Sequence, residues 1–313
     1  MRVDLLVTGR AEAAGLAEAL DRLFPGHEFR YVWRNEKDRE LFPGFTTGPL
    51  PARPSQALPQ VRKIVEEILA RLVATRRRSQ RPDFVVVLDD LELVNAHRPA
   101  VATQVFAEQV RAHLEFLEQV RDSGFVDRCR DALREKASLH FANPMVEAWF
   151  FADPGALSQC GVADTSQVEW NDSGDPEDFE TTETTYLSAT ESDCPCWQSL
   201  ESNRKKKKLR PKWLGDLNRS RHPKGYIQWL CRDGAARTCT RYQETKNGGA
   251  ALAGLDWALV LARPDDHFAY LRALVDDLAD ALGEDPITGP VREPGAAATS
   301  RSRRPRNPVL RNL

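Results

Sequence analysis

Phe84-Val85-Val86-Val87-Leu88-Asp89-Asp90 is the stretch that decides the fold. Four consecutive β-formers and a leucine, bounded by charge, describe a strand covered on both faces, as in a parallel sheet. Its abrupt end puts two carboxylates just past the carboxyl end of a buried strand, where open α/β sheets bind ligands. Upstream, VDLLVTG (3–9) is a second apolar run ending at Gly9, and residues 11–23 carry Leu16, Ala19, Leu20 and Leu23 at helical spacing. Strand, glycine turn and helix open an α/β unit. Outward from there the pattern predicts a strand over 27–33, a Pro/Gly-rich loop over 42–59 and a helix over 58–78. Downstream it predicts helices over 99–121 and 123–136, a strand over 138–144 and an apolar helix over 145–158. The expected class is α/β, a mainly parallel sheet flanked by helices.

The 313 residues carry a formal net charge of −2, so no bulk-charge argument points to nucleic acid and any such case rests on local patches. No run approaches the ~18 apolar residues of a membrane helix. The N-terminal MRVDLLVTGR has too short an apolar run for a signal peptide. The expectation is a cytoplasmic protein with no membrane role, its six cysteines reduced thiols. Residues 137–203 contain no Lys or Arg and crowd Asp, Glu, Ser and Thr, and Arg204-Lys205-Lys206-Lys207-Lys208 follows at once. The expected organisation is an α/β core over 1–160 and an acidic then basic insertion or loop over 161–220, partly disordered. A mainly helical part over 221–283 packs on the core, and a disordered basic tail fills 284–313.

Asp89, Asp90 and Glu92 form the most informative cluster. Mg²⁺ or Mn²⁺ takes oxygen ligands, usually one or two carboxylates completed by water and phosphate. Ions held this way stabilise the attacking and leaving oxygens of phosphodiester cleavage. The plainer reading is that these acids end a strand, and the pleat sends adjacent residues to opposite faces. Thr8-Gly9-Arg10-Ala11-Glu12 offers a glycine turn that can bring backbone N–H groups to a phosphate. It is neither a Walker loop nor a dinucleotide fingerprint. Glu12 is a candidate acid/base and Glu147 a further candidate metal ligand, with a salt-bridged helix acid as the alternative for Glu147. Arg10, Lys205, Lys206, His222 and Lys224 are the candidate substrate-binding residues, since each could meet a phosphate. Trp149, Phe150 and Phe151 read as core. Cys194-Pro195-Cys196 lacks a second pair and is a poor zinc signal.

These pieces in this order, ending in Pro144-Met145-Val146-Glu147-Ala148-Trp149-Phe150-Phe151-Ala152-Asp153-Pro154, resemble the prokaryotic domain-of-unknown-function 4276 group. That group is similar to the Toprim-type fold of topoisomerases, primases and overcoming-lysogenisation-defect nucleases, and the resemblance covers about residues 1–160. His222-Pro223-Lys224 and Arg241-Tyr242-Gln243-Glu244-Thr245 look like later family segments. The resemblance implies metal-dependent phosphoryl transfer, with several relatives in phage defence. It also calls for Glu beside the first glycine, where this chain has Thr8. The Asp-x-Asp that the resemblance implies maps to Asp89 and Leu91 or to Asp90 and Glu92 with Glu as a longer substitute; the second is favoured, with Asp89 as an alternate ligand.

Two functions follow as expectations. One is a Mg²⁺- or Mn²⁺-dependent nuclease or phosphoryl-transfer protein, with the ion on Asp89, Asp90 and Glu92. The other is a catalytically degenerate module that binds nucleic acid, a nucleotide or a protein partner from the same operon. Thr8 favours the second and the acidic cluster the first.

Overall fold

The computed structural model describes the chain apart from residues 36, 38–39, 75–80, 165, 172–173, 195–209, 215–217, 236–238, 286 and 288–313. Lys205, Lys206 and most of the basic tail expected over 284–313 (286 and 288 onward) lie outside the described residues. The chain divides into two units. One holds residues 1–9, 20–143 and 268 onward, the other residues 10–19 and 144–267.

The first unit is built on four parallel strands, β1 (Arg2–Val7), β2 (Glu28–Tyr31), β3 (Phe84–Asp90) and β4 (Ala137–Ala142), in the order β2-β1-β3-β4. Val3 pairs with Phe84 and Val7 with Leu88, while Val85 to Asp90 run beside Ala137 to Ala142. The decisive stretch is therefore a central strand with neighbours on both sides. Period-two alternation splits its residues. Val85 and Val87, with Leu6 and Leu139, join the core made by α2 (Pro59–Leu69), α4 (Pro99–Val120) and α5 (Ser123–Lys136). On β4, Ser138 and His140 fall on the opposite register and His140 lies 3.6 Å from Asp277 of the helix Ala269–Leu282. Helices thus cover the sheet, as parallel strands require.

Asp4 is the costly residue of β1. It is fully buried, and its carboxylate accepts bonds from Arg30 of the paired strand at 2.9 Å and from Arg71 at 2.7 Å. Burial of a charge is tolerated because both oxygens are met by guanidinium forks. The helix expected over 58–78 is α over Pro59–Leu69 and then a π-turn over Ala70–Ala74, which carries Arg71 to that carboxylate.

The second unit is mostly helical. The helix expected over 145–158 divides into a 3₁₀ segment, Val146–Ala152, and an α-helix, Pro154–Cys160. Proline disfavours helical backbone in the residue before it. Asp153 is accordingly extended and caps the second piece by accepting the Gly155 N–H at 2.8 Å. All seven residues of the 3₁₀ segment are buried, which makes Trp149, Phe150 and Phe151 core. The acidic stretch contributes Phe179 and Tyr186 to an aromatic cluster with Phe151, Tyr226 and Trp229. Glu183 accepts hydrogen bonds there from the Tyr226 hydroxyl at 2.6 Å and the Trp229 indole at 2.8 Å. Cys194 and Cys239, expected as free thiols, are joined in a disulfide that closes 45 residues. Cysteine count alone could not reveal that pair, because only the fold sets two sulfurs side by side.

The helix Arg10–Leu23 (α1) meets the helix Gly249–Ala253 at Gly15. A Cβ on Gly15 would stand 2.1 Å from the Gly249 carbonyl oxygen and 2.9 Å from the Ala253 nitrogen. Alanine ordinarily favours a helix over glycine by about 1 kcal/mol. Here the backbone clash outweighs that gain, and Gly15→Ala is expected to destabilise the protein by about 2 kcal/mol or more. Urea unfolding reads the effect as a lower midpoint at unchanged slope. A midpoint equal to or above wild type contradicts this packing.

Candidate functional site

In the first unit, successive strands step outward from β1 first to β2 and then to β3, so strand order reverses between β1 and β3. The crevice beyond the carboxyl ends of such a pair is the usual ligand site of open α/β sheets. Here it holds Thr8, Asp89 and a loop. Because Val7 is level with Leu88, Thr8, just past β1, comes beside Asp89, the penultimate residue of β3, and the Thr8 hydroxyl donates to Asp89 Oδ1. Asp89 Oδ2 accepts the backbone N–H groups of Phe45 at 3.1 Å and Thr46 at 3.3 Å. The Thr46 hydroxyl lies 2.9 Å from the same oxygen and also reaches the Asp90 carbonyl, with one proton to give to either. Asn95, fully buried, clamps the rest of the loop. Its amide donates to the carbonyls of Thr46 and Gly48 at 2.7 and 2.9 Å, and its carbonyl accepts from Leu50 N–H.

Asp89 is therefore a fastener for the loop that covers the strand ends. It is 1% exposed. Burial pushes its carboxyl up to about 6, against the opposing help of Thr8, Thr46 and the two backbone donors. Asp90 follows it on the strand and so faces the other side of the pleat. Glu92, half-buried, opens a short helix with φ at 54°, the left-handed region that side chains seldom adopt. Among the described residues no three His, Cys, Asp or Glu side chains gather as a metal-holding group. Both Asp89 oxygens already accept protein donors, so a divalent cation there would share or displace the Thr8 hydroxyl and the loop donors.

The second unit gathers a different set. Glu147, at the base of the 3₁₀ segment, accepts the Tyr242 hydroxyl on Oε1 at 2.9 Å and lies 3.2 Å from the Lys224 ammonium. Lys224 also lies 3.7 Å from Glu244. Burial raises the Glu147 carboxyl, with Lys224 opposing, while burial and then the Glu147 charge hold the Tyr242 phenol well above its ordinary range. Glu147 Oε2 is buried with no hydrogen-bond partner among the described residues. His222 caps the helix Pro223–Leu230 by accepting the Gly225 N–H on Nδ1 at 3.1 Å. Burial first, then Lys224 and Lys212, push it down to about 3, which leaves the ring neutral near pH 7. Glu12 is buried in the first turn of α1 and Arg10 is exposed at its start.

Of the residues singled out from the sequence, Glu147 and Lys224 meet directly. Asp89, Asp90 and Glu92 share a strand end without converging. Thr46 and Asn95 gave no signal, being loop and helix residues whose partners lie 43 to 49 positions away. Tyr242 and Glu244 stood in a quoted segment, but nothing in spacing links Tyr242 to Glu147 across 95 positions.

A carboxyl raised in the folded state binds its proton more tightly than in the unfolded chain. Its contribution is therefore full below about pH 4 and lost as pH rises through about 6, roughly 3 kcal/mol in all. Asp89→Asn keeps the neutral shape, so it is expected to gain on wild type by about that amount between about pH 4 and 7 in denaturant titrations. A variant that instead loses ground over this window would show Asp89 to be a carboxylate held charged. Compared with known proteins, the chain matches no family model, no curated protein and no solved structure.

Proposed function

We propose that this chain is a Toprim-like α/β module that has given up metal-dependent phosphoryl transfer at Asp89 and acts by binding a phosphate-bearing ligand, a nucleotide or nucleic acid. The observation that carries this reading is the Asp89 carboxylate, whose two oxygens fasten the loop at Phe45 and Thr46. A hard cation needs open carboxylate oxygens. Thr8, at the position where the resemblance calls for Glu, serves the same fastening. Support for the ligand class comes from a cleft of about 560 Å³ on α4 and α5, lined by Arg111, Arg130 and Arg134 with Leu114, Glu115 and Glu118. Arg130 is tied to Glu118 and Asp127, whereas Arg134 has no ion pair among the described residues. The planar guanidinium fork suits phosphate oxygens.

Asp90 and Glu92 favour a second reading, a Mg²⁺- or Mn²⁺-dependent nuclease or phosphoryl-transfer protein of the sort that serves prokaryotic phage defence. In it these two carboxylates would hold the ion, which would supply charge stabilisation at the phosphate. Calorimetry with Mn²⁺ and Mg²⁺ on wild type and on Asp90→Ala/Glu92→Ala separates the readings, followed by incubation with single-stranded, duplex and structured RNA and DNA at low salt. The binding reading expects no cleavage, and an affinity whose salt slope falls by about 1 for each of Arg111→Ala and Arg134→Ala. Cation uptake and cleavage, both lost in the double variant, would establish the nuclease. No nucleic-acid or nucleotide affinity at all would overturn the ligand class and leave a protein partner as the object of search.

A further inference from the structure

We infer that the Cys194–Cys239 disulfide is a reversible latch on the Glu147–Lys224 cluster, opened by a dithiol reductant. Cys239 precedes by three residues Tyr242, whose hydroxyl holds Glu147, and by five residues Glu244, which flanks Lys224. Cys239 itself sits at φ 59°, a left-handed backbone that a non-glycine residue keeps only when its surroundings hold it there. Two kinds of tie do so. The Cys239 carbonyl accepts the Asp233 N–H at 3.1 Å and Arg241 N–H donates to the Cys231 carbonyl at 2.9 Å, joining this segment to the end of the helix that carries Lys224. The disulfide supplies the other tie, from Cys239 to Cys194.

Cys194 ends a three-residue 3₁₀ turn, Glu191–Asp193, whose residues are all exposed although both cysteines are buried. So short a turn opens at small cost, and that opening is the route of a thiolate to the sulfur. The exchange is balanced by the reductant. Its first thiolate attacks one cysteine sulfur, making a mixed disulfide and releasing the other cysteine as a thiolate that takes a proton. The second thiol of the reductant displaces the remaining cysteine and closes its own disulfide. Two electrons enter the protein, leaving two thiols. Release removes the Cys194 anchor and leaves Cys239 held by its backbone bonds alone, and the segment 240–244 loosens against Glu147 and Lys224.

The test measures acylation of Lys224 by an N-hydroxysuccinimide ester, read by peptide mass spectrometry, in oxidised and dithiothreitol-reduced full-length protein. Lys63, exposed on α2 in the first unit, is the internal reference. Reduction is expected to speed Lys224 acylation about tenfold relative to Lys63, as local opening exposes the ammonium. Cys194→Ser/Cys239→Ser should show the fast rate without reductant, and reoxidation of wild type should restore the slow one. Any of three results overturns the inference. The first is an unchanged Lys224 rate when thiol counting proves the bond open. The second is a bond that resists the reductant under native conditions. The third is circular dichroism that shows the whole protein unfolding on reduction, which makes the bond a staple and not a latch.

Discussion

A single buried carboxylate organises the carboxyl end of the sheet. Asp89 is almost wholly buried, and its position near the end of a strand covered on both faces is costly for a charge. The fold answers by bringing donors to it: a hydroxyl from the neighbouring strand's end and two amides and a hydroxyl from the loop after β2. Those bonds in turn fix the loop, and Asn95 fixes it from the other side. Had the loop stayed open, the crevice between β1 and β3 would present the Asp89 carboxylate to solvent. As it is, the chain's own backbone fills the place that a ligand takes in many open α/β sheets.

The same rule, that buried polar groups are met or costly, accounts for most polar residues of the interior. Asp4 recruits Arg30 across the strand pair and Arg71 from a π-turn. In the second unit, Glu183 leaves an acidic stretch to meet Tyr226 and Trp229, and Glu147 meets Tyr242 and Lys224. The second oxygen of Glu147 departs from the rule, as do the indole N–H groups of Trp149 and Trp213, none of them with a hydrogen-bond partner among the described residues.

Much of the sheet was legible in the sequence because burial writes itself into local pattern. FVVVLDD reads as a two-face strand, and VDLLVTG followed by spaced leucines reads as strand and helix. What stayed hidden was long-range. Nothing in residues 42–59 distinguishes a free loop from one fastened by Asp89, since the fastening depends on which strands become neighbours. Alternation along the strand did hint that Asp89 and Asp90 part company. The composition of residues 161–194 speaks of solvent, yet a few aromatics decide its packing, and Phe179 and Tyr186 are too few to change an average. The disulfide was hidden for the same reason, its partners lying 45 positions apart.

Protein donors meet both oxygens of the Asp89 carboxylate and so tie it to the fold. The most direct test is a ¹³C NMR titration of the Asp89 carboxyl carbon, with and without Mg²⁺. The account predicts a midpoint near about 6 that Mg²⁺ leaves in place. A midpoint in the ordinary aspartate range, or one that drops when Mg²⁺ is added, would contradict it and return Asp89 to the cation.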